Sequence, residues 1–319
     1  MKIVPVLVVA LVPASLALAL AFGSVDLGPA QLADALLGRG DEIAREIVWG
    51  VRAPRALAGF ACGGLLALAG ALLQVLLRNP LADPTILGVS GGAAAGALGA
   101  MLLGVGAAAL NLAALAGASI AAGAVFAFSL GRSGWNPYRV LLTGVALASG
   151  FGAAVGLMLS LAPSSQVQGM LFWLLGDLSP AGDPSVALAV LAACAALAFS
   201  QSAALDVLIL GEDKARALGV AVTRLQAVAF GCATLATVAA VLLGGSIGFV
   251  GLVVPHLLRL SGVHRHGALL PLSACLGGSL LALADTLART AAAPAELPVG
   301  VLTAMIGVPV LLFLLGRLR

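Results

Sequence analysis

The chain has 319 residues, of which 61% are hydrophobic and only 9% charged, and its formal net charge is +3. A soluble domain carries about 25% charged residues, so there are too few polar side chains to cover a water-facing surface, and lipid must cover much of it. So small a net charge points to no nucleic-acid partner. The apolar runs approach or exceed the roughly 18–20 residues a helix needs to cross a bilayer. They are rich in Ala, Leu and Gly and lack the strict alternation of a transmembrane β-barrel. The expectation is an all-α, polytopic membrane protein with about ten transmembrane helices in a single domain over 1–319. Its 41 glycines would let those helices approach closely.

The first expected span, 3–22, follows Lys2. No small-x-small cleavage site precedes a mature domain, so this helix is expected to be retained. Further spans are expected at 56–77, 86–105, 108–130, 139–161, 184–204, 225–245, 248–260, 268–288 and 299–316. The span 248–260 is short and carries Pro255 and His256, which predicts a bent or half-length helix. The segment QVQGMLFWLLGDL, 166–178, is apolar but too short to cross, and reads as a re-entrant or surface helix.

Ten spans place both termini on one side of the membrane. One set of loops and ends holds Lys2, Arg78, Arg132, Arg139, Lys214, Arg216, Arg224, Arg259, Arg265, Arg317 and Arg319. The other holds Arg39, Arg45, Arg52, Arg55 and Arg289 among most of the acids. The positive-inside bias makes the first set, and both termini, cytoplasmic. The segment from Arg55, RALAGFACGGLLALAGALLQ, echoes RLQAVAFGCATLATVAAVLLGG from Arg224, and the two run in opposite directions in this topology. That is the arrangement of an inverted repeat, common in transporters.

In RNPLADPTILGVSGGAAAGALGA, 78–100, Pro80 and Pro84 end the preceding helix and glycines follow. The segment is either a tight cytoplasmic turn or one wall of a pore at its inner mouth. The longest polar stretch, 200–226, contains GEDKARALG bounded by Gly211 and Gly219. Its early acids and late cations suit a short helix's dipole, and Glu212 and Arg216 are spaced to pair. It is a connecting loop or a lever for a soluble partner. Asp285 lies near the end of a long span, with Thr286 beside it and Arg289 one turn on, which favours a satisfied structural contact over an ion site. Cys62, Cys194, Cys232 and Cys275 are far apart inside apolar runs and read as small core residues. There is no HExxH, paired Cys, carboxylate cluster or GxxxxGK[ST], so no metal, cofactor, hydrolytic centre or P-loop is expected.

At these motifs the sequence resembles the permease subunits of bacterial importers for iron-siderophores, haem and vitamin B12. The likeness is carried by VRAPRALAG at 51–59, RNPLADPTILGVSGG at 78–92, LLTGVALASG at 141–150, FWLLGDL at 172–178 and LGEDKARALGV at 210–220. It continues through GFVGLVVPHLLRL at 248–260, LLPLSACLGG at 269–278, LADTLAR at 283–289 and ELPVGVLTAMIGVPVLLFLL at 296–315. The resemblance implies a homodimeric inner-membrane permease of ten helices per subunit, with two ATP-binding-cassette ATPase subunits and a periplasmic binding protein. It implies that Gly211, Glu212, Lys214, Ala215, Arg216 and Gly219 belong to a helix that docks on the ATPase. It implies that Arg52, Arg55 and Arg289 meet glutamates of the binding protein. It places inner gates at Asn79 and Leu81 and at Asn136, Pro137 and Tyr138, and an outer gate at the 166–178 helix. Tyr138 departs from the small hydroxyl residues of relatives at that gate. The rival readings are an ion-driven secondary transporter, which needs ionisable groups at mid-membrane, and a membrane-embedded enzyme, which needs clustered His or acids.

Overall fold

The structure, a computed structural model, describes residues 3–131, 134–179, 182–293 and 295–316. Lys2, Arg132, Arg317 and Arg319, used in the charge asymmetry, lie outside the described residues.

Each of the ten expected spans is a helix. They are α1 Ile3–Ala21, α4 Ala53–Leu76, α5 Val89–Leu102, α6 Ala107–Ser129, α7 Pro137–Leu161, α9 Ser185–Ser200, α12 Val222–Gly244, α13 Val250–Leu260, α14 His266–Thr290 and α15 Val299–Gly316. Between them lie α2 Pro29–Leu36, α3 Glu42–Arg45, α8 Ser164–Leu175, α10 Ser202–Leu208 and α11 Glu212–Ala217. By length and apolarity, six stretches can cross a bilayer: α1, the run 42–76, α6, α7, α12 and α14. The pair α9 and α10, bent by 60°, makes a seventh. Helices α5, α13 and α15 are shorter apolar pieces, so ten counts helices better than full crossings.

The departures have local causes. Helix α5 starts three residues late because Pro84–Leu87 forms a 3-10 turn and Gly88, at φ +72°, reverses the chain into it. Helix α4 does not begin in a loop. A π-helical stretch, Glu46–Arg52, joins α3 to α4 in one run to Leu76. That run is fixed from the side by α2, where Ala35, Ala44 and Val48 pack with Leu20, Leu27 and Leu32, and the Trp49 indole donates to Ala35 O at 3.0 Å. The sequence reading missed both features because 23–55 is too polar to resemble a span.

Helix α4 is the axis of the bundle. The best spanning window of the 42–76 run is 89% buried, against 11% for that of α7. It packs on α14, α12, α13 and α9. In lipid, hydrophobicity does not drive helices together, so close backbone approach must. Gly63 of α4 and Gly277 of α14 face each other so tightly that a Cβ on either would collide with the other's carbonyl oxygen. Gly92 and Gly117 join α5 to α6 in the same way. The two segments of the sequence echo are α4 and α12, which pack against each other. Cys62, Cys194 and Cys232 are buried and Cys275 is half-buried, all as free thiols. No group of three metal-ligating side chains occurs among the described residues. By contrast α7 exposes Leu142, Val145, Leu157 and Leu161, a face for lipid or a second copy.

Widening Gly277 tests this axis. Gly277→Leu should lower the thermal unfolding midpoint of the detergent-purified protein sharply, since overpacking a tight contact costs about 1–3 kcal/mol or more. The same change at Gly231, whose added Cβ meets nothing within 4 Å, should move the midpoint little.

Candidate functional site

Chemistry-bearing side chains gather at the two ends of α4, about 36 Å apart at 1.5 Å per helical residue. At the C-terminal end the chain turns out of α4 through a Schellman cap. Arg78 N donates to Val75 O and Asn79 N to Gln74 O, both at 3.1 Å. The left-handed position of such a cap is usually glycine, but here it is Arg78, at φ +48°. A residue with a Cβ pays roughly 1–2 kcal/mol for that conformation. The turn beyond is locked by side chains. Asn79 Oδ1 accepts from Leu81 N at 2.9 Å, and Asp83 Oδ1 accepts from Thr85 N at 2.8 Å. The buried Gln74 amide reaches Ala82 O at 3.4 Å and Gly251 O at 3.3 Å, while its oxygen takes a bond from Arg259. Leu81 is partly exposed.

The GEDKARALG segment lands beside this turn. Gly211 and Gly219, at φ +112° and +83°, bracket α11 with backbone that L side chains rarely adopt. Ala215 is buried and seats the helix, while Asp213, Lys214, Arg216 and Leu218 face out. Glu212 is its hub. It accepts from Arg216 of its own helix at 3.1 Å and from Gln226 of α12 at 3.0 Å, and it pairs with Arg78 at 3.2 Å. The structure thus brings together two segments that the sequence presented separately.

Asn136, Pro137 and Tyr138 open α7. Asn136 caps it, its Oδ1 accepting from Tyr138 N at 2.9 Å, and Pro137 sits where a missing N–H costs nothing. The Tyr138 ring is exposed. The 3-10 turn Pro84–Leu87 packs on α7, with Gly88 against Gly144 and Leu147, about two turns in from Asn136.

At the other end of α4 the three arginines expected on an outer face turn inward. Arg52 donates to Leu20 O and Ala21 O at 2.8 and 2.9 Å and also to Val25 O, closing the end of α1. Arg55 grips Asp285 of α14 with three bonds of 3.0–3.2 Å and reaches Glu296 at 2.9 Å. Arg289 donates to Ala19 O at 2.5 Å and lies 3.6 Å from Asp285. Burial pushes the Glu296 carboxyl up, but the Ser179 hydroxyl and the Arg55 guanidinium hold it below its ordinary value. Asp285 is therefore a structural partner with one more arginine than its neighbours in sequence offered. Beneath α8 at this end, a cavity of about 1000 Å³ is lined by Leu110, Asn111, Phe172, Trp173, Val190 and Leu242 among others.

The ion pair generates a clear expectation. Arg55→Met alone strands the buried Asp285 and should cost about 3–5 kcal/mol. Adding Asp285→Leu should recover a large part of that loss in thermal unfolding. A double variant no more stable than the single one would show that Asp285 does not depend on Arg55.

The FecCD transport family model matches residues 10–317. A cobalamin import system permease protein, BtuC, of Halobacterium salinarum is 42% identical over 278 residues, covering 86% of this chain and 74% of that protein. The vitamin B12 import system permease protein BtuC of Citrobacter koseri is 41% identical over 279 residues, covering 85% and 83%. A solved inward-facing structure assigned to a metal-chelate type ABC transporter shares the fold, with a TM-score of 0.87 at 28% identity over 99% of this chain and all of that one.

Proposed function

The chain belongs to the FecCD transport family, and from that premise we propose that it is the membrane-spanning permease of an importer for a cobalamin-class metal chelate. Membership sets aside the ion-driven and enzymatic rivals: the chain is a transport subunit, and ATP is hydrolysed by a separate partner. The observation that carries the choice of cargo is the 40–42% identity, over most of the chain, to permeases named for cobalamin and vitamin B12. Ferric siderophores and haem are the other cargoes of the family resemblance.

In this reading the 319 residues form one permease domain, two copies enclose the pathway, and two ATPase subunits dock on the face that carries α11. Both termini lie in the cytoplasm, as the basic loops favour. Gly211, Glu212, Lys214, Ala215, Arg216 and Gly219 make the coupling helix. Its isolation between two left-handed glycines and its outward-facing charges support that role. Asn79 and Leu81, with Asn136, Pro137 and Tyr138, form the inner gate, a role supported by the exposure of the Leu81 and Tyr138 side chains at turns that open onto α5 and α7. The binding protein docks at the Arg52, Arg55 and Arg289 end. Since those guanidinium groups already hold carbonyls, Asp285 and Glu296, docking there exchanges partners and does not simply add them. Glu296, with a side chain 30% exposed, is the partner most easily exchanged.

Uptake by the complete complex in proteoliposomes tests the reading. With ATP inside, labelled cyanocobalamin should accumulate in preference to haem and a ferric hydroxamate chelate. Inserting a glycine after Ala215 should abolish uptake while leaving membrane insertion intact. Uptake of haem or the ferric chelate alone would reassign the cargo. Normal uptake after the insertion would contradict the coupling assignment.

A further inference from the structure

The sequence read Arg78 only as a basic residue before a proline turn, and nothing in the proposed function uses it. Its geometry singles it out. It occupies the left-handed position of the α4 cap, where glycine would fit without strain. It places its guanidinium 3.2 Å from Glu212, the hub of α11. The bond is not there to satisfy Glu212, which already holds Arg216 and the buried Gln226. Nor does it add much stability, because its side chain is 44% exposed and exposed ion pairs contribute little. Strain kept at a position where a smaller residue would relieve it points to function.

We infer that Arg78 is the positioning residue that ties the coupling helix to the inner gate. The path is short and continuous. Motion of α11 moves the Glu212 carboxylate, which holds the Arg78 guanidinium. Arg78 N and Asn79 N are bonded into the end of α4, and the Asn79 side chain holds the backbone of Leu81. Helix α4 itself is clamped by α14, α12 and α13, so a displacement arriving at Arg78 is spent on the turn and leaves the helix in place. Gln74 anchors the far side of that turn through Ala82 O and Gly251 O, giving the turn a fixed hinge opposite the moving contact. This inference rests on the proposed roles of α11 as coupling helix and of the Leu81 turn as gate.

The test uses the complete complex in proteoliposomes, with a L81C permease labelled by a membrane-impermeant maleimide, in the presence and absence of ATP. With Arg78 intact, ATP should change the labelling rate of the L81C thiol about tenfold, a typical size for coupling between two sites. In R78G the ATP dependence should vanish, while ATP hydrolysis continues and the unfolding midpoint stays level or rises as the strain is relieved. R78K, which keeps the charge, should retain part of the ATP dependence. If R78G keeps the full ATP-dependent change, the link is overturned and the coupling reading of α11 stands. If R78G lowers the unfolding midpoint, Arg78 is a structural residue and the inference fails. If ATP leaves labelling unchanged even with Arg78 intact, the gate and coupling reading falls and takes the link with it.

Discussion

Arg55 and Asp285 meet with both side chains buried, 9% and 3% exposed, and the bundle is built so that they must. Each charge alone would be expensive to bury, whereas the pair, with three bonds of 3.0–3.2 Å, is tolerable. They can meet only because α4 and α14 approach to backbone contact at Gly63 and Gly277. The pair therefore fixes the register of the two most deeply packed helices. Arg52 and Arg289 extend the same clamp to the end of α1, taking carbonyls that the helix leaves unpaired. Arg52, Arg55, Arg289 and Asp285 are thus engaged in holding the helices together.

The clamp gives α4 a fixed position, and that position matters at its other end. The same helix carries Gln74 and Arg78, which organise the turn bearing Asn79 and Leu81. Beside a fixed axis, a strained, charge-tipped cap can pass small displacements of a neighbouring helix on to the turn, because the close-packed helix behind it does not deform to absorb them. The less buried elements are the ones free to move. Helix α7 has few buried residues, α11 is seated by a single buried alanine, and α8 covers a cavity. The division between a clamped centre and a loosely held perimeter is what an alternating-access permease requires.

Much of this was legible in the sequence. The ten apolar runs, the short helix at Pro255 and the short helix before Asp177 follow from composition and length alone. Some motifs of the family resemblance, RNPLADPTILGVSGG and LGEDKARALGV among them, fall at helix ends, where turn residues such as Pro80, Gly88 and Gly211 have backbone reasons to be there. What was not legible depends on contacts between distant segments. Nothing local marks Arg55 as the partner of Asp285, 230 residues away, so the partners expected for Arg52, Arg55 and Arg289 were glutamates of another protein. Glu212 read as a partner of Arg216 because helical spacing is visible, whereas its bonds to Arg78 and Gln226 depend on how α4, α11 and α12 assemble. The strain at Arg78 is equally invisible, since left-handed backbone at a non-glycine residue has no sequence signature.

The central claim is that two copies of this chain form a pathway whose inner mouth opens and closes with the nucleotide state of the partner ATPase. The most direct measurement is the distance between spin labels placed at Tyr138 in the two copies of the complete complex, with and without a non-hydrolysable ATP analogue. Tyr138 is exposed and opens α7, so a label there should be tolerated. The account predicts two distance distributions that interconvert with nucleotide. A single distribution, unchanged by nucleotide in a complex that binds it, would contradict the account.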